Sequence, residues 1–149
     1  MAQLTERPAD WVSTAPIVVE NSRRIAAPID TVWARIADHE SWPEWFTDLS
    51  SVTVTFAAEG VGGGRDVKVP GMTVKERFTA WEPPHRFAFT LFEGPRIMAS
   101  MAESVVLEPD GAPARPSMPS RRHQVSTPTV PGPYPEGHGL PVPGRAARR

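Results

Sequence analysis

The sequence predicts an α+β fold: an antiparallel sheet of five or six strands, with two helices between the first strand and the second. Three observations predict it. Apolar residues recur at helical spacing from Ile29 to Ala37. At Ser51 the pattern changes to strict alternation. From there to Gly111, short β-rich runs alternate with tight-turn residues, and strands so closely joined must run antiparallel.

Taken in order, Met1 to Ala15 reads as an exposed lead-in. Ile17 to Ile25 is β-rich and mixed in polarity, a strand that Ala27-Pro28 stops. Pro28 suits the first helical position and Asp30 the first turn, where a negative charge meets the helix dipole. Ile29, Val32, Trp33, Ile36 and Ala37 then form one apolar stripe, with Asp30, Arg35 and Asp38 opposite. Ser41 to Phe46, with Pro43 in its first turn, reads as a second short helix. Beyond Ser51, Val52, Val54 and Phe56 share one face and Thr53 and Thr55 the other. Gly60 to Gly64 breaks that strand. Further strands are expected over Arg65 to Val69, Met72 to Trp81, Arg86 to Phe92 and Arg96 to Leu107. Their turns fall at Pro70-Gly71, Glu82 to His85 and Glu93 to Pro95, and Glu108 to Gly111 follows as another turn.

The composition changes near Asp110. Residues 1–110 hold ten Lys and Arg against sixteen Asp and Glu; residues 111–149 hold six Arg and one acid, with nine of the eighteen prolines. Pro113, Pro116 and Pro119 remove donors that a central strand needs, and the later prolines leave no window for a multi-turn amphipathic helix. The expected division is therefore a lead-in over 1–15, a domain over 16–111 and a disordered Pro/Arg-rich tail over 112–149. Cysteine is absent, which excludes disulfides, thiol catalysis and thiolate metal sites. Met1 to Asp10 carries Glu6, Arg7 and Asp10 and lacks the apolar core of a signal peptide. No run reaches the roughly 18 apolar residues of a membrane helix. A cytoplasmic location is the expectation.

Several segments together resemble the SRPBCC (START-like, polyketide cyclase/dehydrase) superfamily. They are Arg24 to Trp33 with its Ala-Pro and Val-Trp, Ile36-Ala37-Asp38, Ser41-Trp42-Pro43-Glu44-Trp45, Gly60-Val61-Gly62, Thr79 to Phe89 with its Trp-Glu-Pro-Pro, and Leu107 to Gly111. They cover about two-thirds of the chain in the family's order. The resemblance implies a helix-grip fold, in which a curved antiparallel sheet holds a long C-terminal helix around a ligand cavity. It also implies one more strand after Gly111 and then that helix. The sequence shows neither, so both are expected to be missing, as after a truncation or a shifted reading frame. The cavity would then be an open groove that binds weakly, and self-association through the exposed sheet edge is a further expectation.

The resemblance implies a small apolar ligand, such as a polyketide, lipid or quinone-like compound, with or without cyclase/dehydratase activity. Candidate cavity residues are Trp45, Phe46, Phe56, Val74, Phe78, Phe89 and Met101. Glu76, between Val74 and Phe78, and Glu103, between Met101 and Val105, fall on alternating apolar faces. A carboxyl facing an apolar cavity has a raised pKa and can act as acid or base. Register alone leaves open whether the two face each other. His39, His85, His123 and His138 lack ligand spacing and read as surface or turn residues, so no metal is expected. No cofactor is expected. The glycine run lacks the Gly-Lys-Ser/Thr of a phosphate loop and reads as an inter-strand loop near the cavity mouth. The arginine-rich tail has no Lys and only Tyr134 as an aromatic, so no nucleic-acid partner is expected. The alternatives are a protein-interaction module resembling the superfamily's heat-shock ATPase activators, or a product without function. Co-purification with a chaperone, against co-purification with a small apolar ligand, separates the first alternative from the leading reading.

Overall fold

The computed structural model describes residues 1–110 and the backbone of His123–Ser126. Its strands are β1 (Ala2–Gln3), β2 (Val19–Asn21), β3 (Ser51–Val54), β4 (Gly64–Val69), β5 (Met72–Glu82), β6 (Arg86–Gly94), β7 (Ala102–Val106) and β8 (His123–Ser126). Between β2 and β3 lie the helix α1 (Ile29–Ala37) and a 3-10 helix, His39–Glu44. The strand order across the curved sheet is β2-β8-β7-β6-β5-β4-β3, with every pair antiparallel. The predicted α+β class and the meander from Ser51 stand, and so do the two helices ahead of it, although β1 makes the strands that flank them the second and third.

The α1 stripe packs as its spacing requires. Trp33 and Ile36 are buried, with Ile29, Val32 and Ala37 at the margin of the core. Pro28 sits one position earlier than expected: it is the cap, and its carbonyl accepts from the amides of Thr31 and Val32. The Trp33 ring meets Trp81 of β5 edge-on at 5.2 Å. Trp42 Nε1 donates to the Ile36 carbonyl at 2.9 Å, which joins the 3-10 helix to α1.

Two register shifts in β5 against β6 matter for the face of the sheet. The one between Phe78 and Ala80 breaks the alternation, so Trp81 returns to the side of Phe78 and stacks against it at 6.0 Å. The glycine loop is tied to this bulge. Gly62 N donates to Phe78 O, and Phe78 N to Gly63 O. A Cβ on Gly63 would lie 2.7 Å from the Phe78 ring, and one on Gly64 would lie 2.5 Å from the Glu76 carbonyl, so close packing on β5 explains both glycines.

Four expectations need correction. The N-terminal segment is not exposed throughout. β1 pairs with Glu93 and Gly94 of β6, a 3-10 helix spans Ala9–Ser13, and Leu4 and Val12 are buried. Arg7 binds Thr90 and Ser100, and Arg86 binds Asp10 and Ser104, so this segment straps the back of the sheet. That strap is why nearly all of β6 is buried on both faces. The first long strand is only three residues, and β7 begins at Ala102 rather than Arg96. Finally, a strand beyond Gly111 does exist: β8 lies between β2 and β7. Pro113, Pro116 and Pro119 precede it, but 120–127 is free of proline and long enough for a short strand. The expectations for a gripping helix and a disordered tail fall on residues outside those described.

Candidate functional site

Alternation along β3 to β7 places one set of residues on the face that packs against α1 and the 3-10 helix. Most are apolar: Val52, Val67, Val74, Phe78, Phe87, Phe89, Leu91 and Val105. Within this surface the same alternation places Arg65, Glu76 and Glu103. Arg65 pairs across the ladder with Glu76, Glu76 with Leu91, and Phe89 with both Phe78 and Glu103. The two carboxylates therefore stand on either side of β6, two strand spacings apart and offset by two residues, about 12 Å between backbones.

Arg65 is the hub. Its side chain is 1% exposed, and Nε donates to Glu76 Oε2 at 2.6 Å. Nη1 lies 3.1 Å from His39 Nδ1. The guanidinium also lies 3.9 Å from the Trp42 ring centroid, with the Phe87 and Phe89 rings at 5.4 and 5.3 Å. Arginine keeps its charge in proteins, so a counter-ion must accompany it into this apolar surround. Glu76 is that counter-ion. Burial pushes its carboxyl up while the Arg65 guanidinium pulls it back. The contact with a permanent cation makes the ionised form the one that balances the site.

His39 is not the surface residue its sequence context suggested. It is 2% exposed and sits among the rings of Phe78, Trp81 and Phe87. Since Arg65 can only donate, Nδ1 accepts, and Nε2 carries the proton toward the Ala58 carbonyl at 2.8 Å. Burial, then the nearby Arg65 charge, lowers its pKa to about 4, so it is neutral at physiological pH.

Glu103 differs from Glu76. It is half-buried, and no donor among the described residues bonds its carboxylate. Burial, and then repulsion from Glu76, raises its pKa to about 7, against a smaller pull from Arg65. It is the carboxyl of this face that changes charge near neutrality.

Of the residues singled out from sequence, the structure brings Glu76, Glu103, Val74, Phe78 and Phe89 to this face. Trp45 lies beside it, 4.7 Å from Trp42 between ring centroids, and its buried Nε1 has no hydrogen-bond partner among the described residues. Phe46 and Met101 are half-buried at the edge of the core. Phe56 is not part of the face. It is 51% exposed and packs with Phe92 and Arg77 on the other side of the sheet, because β3 ends at Val54 and the alternation does not continue to Phe56. Arg65, His39, Trp42 and Trp81 were missed. Arg65 carried a readable signal, two residues before Val67 on one strand face; the others depend on the register shift and on how the helices pack. Among the described residues, no group of three or more His, Asp or Glu could hold a metal ion, and no helix is long and apolar enough to cross a membrane.

A curved antiparallel sheet with helices inserted between β2 and β3, and with a few buried polar groups on an aromatic face, defines a helix-grip domain of the START-like class. Residues 16–133 match the family described as polyketide cyclase / dehydrase and lipid transport, and the chain belongs to it. It is 33% identical over 96 residues to Rv2574 of Mycobacterium tuberculosis and to Mb2604 of Mycobacterium bovis. Those alignments cover 62% of this chain, and the chain spans 58% of each relative's length. Among solved structures it is similar to the di-domain ARO/CYC StfQ from the steffimycin biosynthetic pathway. The TM-score is 0.52 at 11% identity, over 80% of this chain and 39% of that one, which supports the fold.

Proposed function

We propose that this chain binds a small apolar organic molecule, polyketide-, lipid- or quinone-like, against the aromatic face of its sheet, and that Glu103 supplies the acid/base or hydrogen-bonding group. One observation carries the reading: a buried Arg65–Glu76 ion pair near a half-buried Glu103 that has no hydrogen-bond donor among the described residues, set among Trp42, Phe78, Phe87 and Phe89. Charges in such a surround cost more than apolar residues of the same volume, which favours a functional reason for keeping them. Trp45 Nε1 adds a second unused polar atom beside the same wall.

Cyclase or dehydratase chemistry fits this arrangement. Ring closure of a flexible chain needs one shape held and one proton moved. An apolar wall supplies the first, and a carboxyl with a pKa near 7 suits the second. The family's description and the cyclase neighbour support the same reading. Titration with the neutral fluorescent dye Nile red tests it. Saturable one-site binding is expected, reduced at least about tenfold by Met101→Trp, which adds bulk at the edge of the face. Dye uptake that does not saturate, or that is indifferent to Met101→Trp in a protein with unchanged circular dichroism, sinks the proposal.

A further inference from the structure

We infer that Glu103 selects the charge of the ligand: the face accepts an uncharged apolar molecule that presents a hydrogen-bonding oxygen, and rejects apolar carboxylates such as free fatty acids. This rests on the proposed binding at the same face.

Arg65 is the only cation among the described residues on this face, and it is already engaged. Nε bonds Glu76, Nη1 faces His39 Nδ1, and Trp42 covers the guanidinium plane. It is almost wholly inaccessible, so it is poorly placed to receive a second carboxylate. His39 cannot help, because its Nε2 proton is given to Ala58 and its other nitrogen faces Arg65. From β6 the groups facing Glu103 are Phe87, Phe89 and Leu91, none of them titratable. Across the ladder in β8 the register partner of Glu103 is Val125, which is not titratable. Among the described residues the floor therefore carries one positive charge, cancelled by Glu76, and then Glu103. With Glu103 ionised the floor is net negative; with Glu103 protonated it is neutral. In neither state do the described residues offer an anion a free cation.

An uncharged ligand meets a different surface. Protonated Glu103 can donate to a ketone or quinone oxygen, and ionised Glu103 can accept from a phenol or enol hydroxyl. Trp45 Nε1 is a second donor without an acceptor among the described residues. Both act at the edge of an apolar wall, where a hydrogen bond counts for more than in water.

The experiment compares two probes of similar length, decanoate and 2-undecanone, by isothermal titration calorimetry at pH 8.5 with the full chain and with Glu103→Gln. The ketone is expected to bind at least about tenfold more tightly than the carboxylate, because like charges held at close range in a partly desolvated site repel strongly. In Glu103→Gln the gap is expected to shrink several-fold, mainly through stronger binding of decanoate. Equal affinities in the unsubstituted chain, tighter binding of decanoate, or a gap unchanged by Glu103→Gln overturns the charge selection and leaves the ligand site standing. Binding of neither probe overturns the proposed function, and this inference with it.

Discussion

Arg65 Nε stands 2.6 Å from Glu76 Oε2, on neighbouring antiparallel strands, with both side chains almost completely removed from water. Such a pair is costly to break from one side and cheap to replace from both. Arg65→Met strands the Glu76 carboxylate and is expected to cost about 3–5 kcal/mol. The double variant Arg65→Met/Glu76→Met should recover most of that loss. Urea denaturation of the three proteins checks it; a double variant no more stable than the single one would show that the residues do not act as a pair.

The Glu103 pKa raised to about 7 makes stability depend on pH. Between its ordinary value of 4.5 and about 7 the folded chain binds more protons than the unfolded one, so this group's contribution falls as pH rises through that window. The size is on the order of 2–3 kcal/mol. His39, lowered to about 4, works in the opposite direction between about 4 and 6.5, and Glu76 works in the same direction as Glu103. The difference between the unsubstituted chain and Glu103→Gln isolates the effect. Glu103→Gln should be relatively more stable at pH 8 than at pH 5 in thermal melts, and a difference independent of pH would refute the assignment.

His39 is expected to remain neutral, with its proton on Nε2, down to about pH 5, since its pKa is lowered to about 4. Nitrogen-15 chemical shifts of the ring report this directly. An unprotonated Nδ1 at pH 6 supports the hydrogen bonds to Arg65 and Ala58; an imidazolium pattern at that pH contradicts them.

Trp33, 9% exposed and edge-on to Trp81, anchors α1 on the sheet. Trp33→Ala is expected to cost about 3–5 kcal/mol. A denaturation midpoint close to that of the unsubstituted chain would mean that the helix is not held by this contact.

The N-terminal strap should be stabilising. Leu4→Ala, at a buried position against Leu91 and Gly94, is expected to cost about 2–4 kcal/mol, whereas an exposed lead-in would tolerate it. The urea midpoint decides between them.

The sequence by itself determined the α1 stripe, the turn from helical to alternating period at Ser51, and the strands from β3 to β6 to within a few residues. These signals are local: an amphipathic period and a turn residue act over a handful of neighbours. It also placed Glu76 and Glu103 among apolar neighbours, because alternation fixes which residues share a face. Only the tertiary structure decided the rest. A register shift in β5 turned Trp81 toward Phe78, and the end of β3 turned Phe56 away. The packing of the 3-10 helix buried His39 against Arg65 and laid Trp42 over the guanidinium. The strap formed because Thr90, Ser100 and Arg86 bind Arg7 and Asp10, while Leu4 joins the core beside Leu91. Apart from Phe78 and Trp81, whose meeting depends on the register shift, these contacts join residues far apart in sequence, so no local pattern records them; they follow from register and from which surfaces remain to be buried once the sheet has formed.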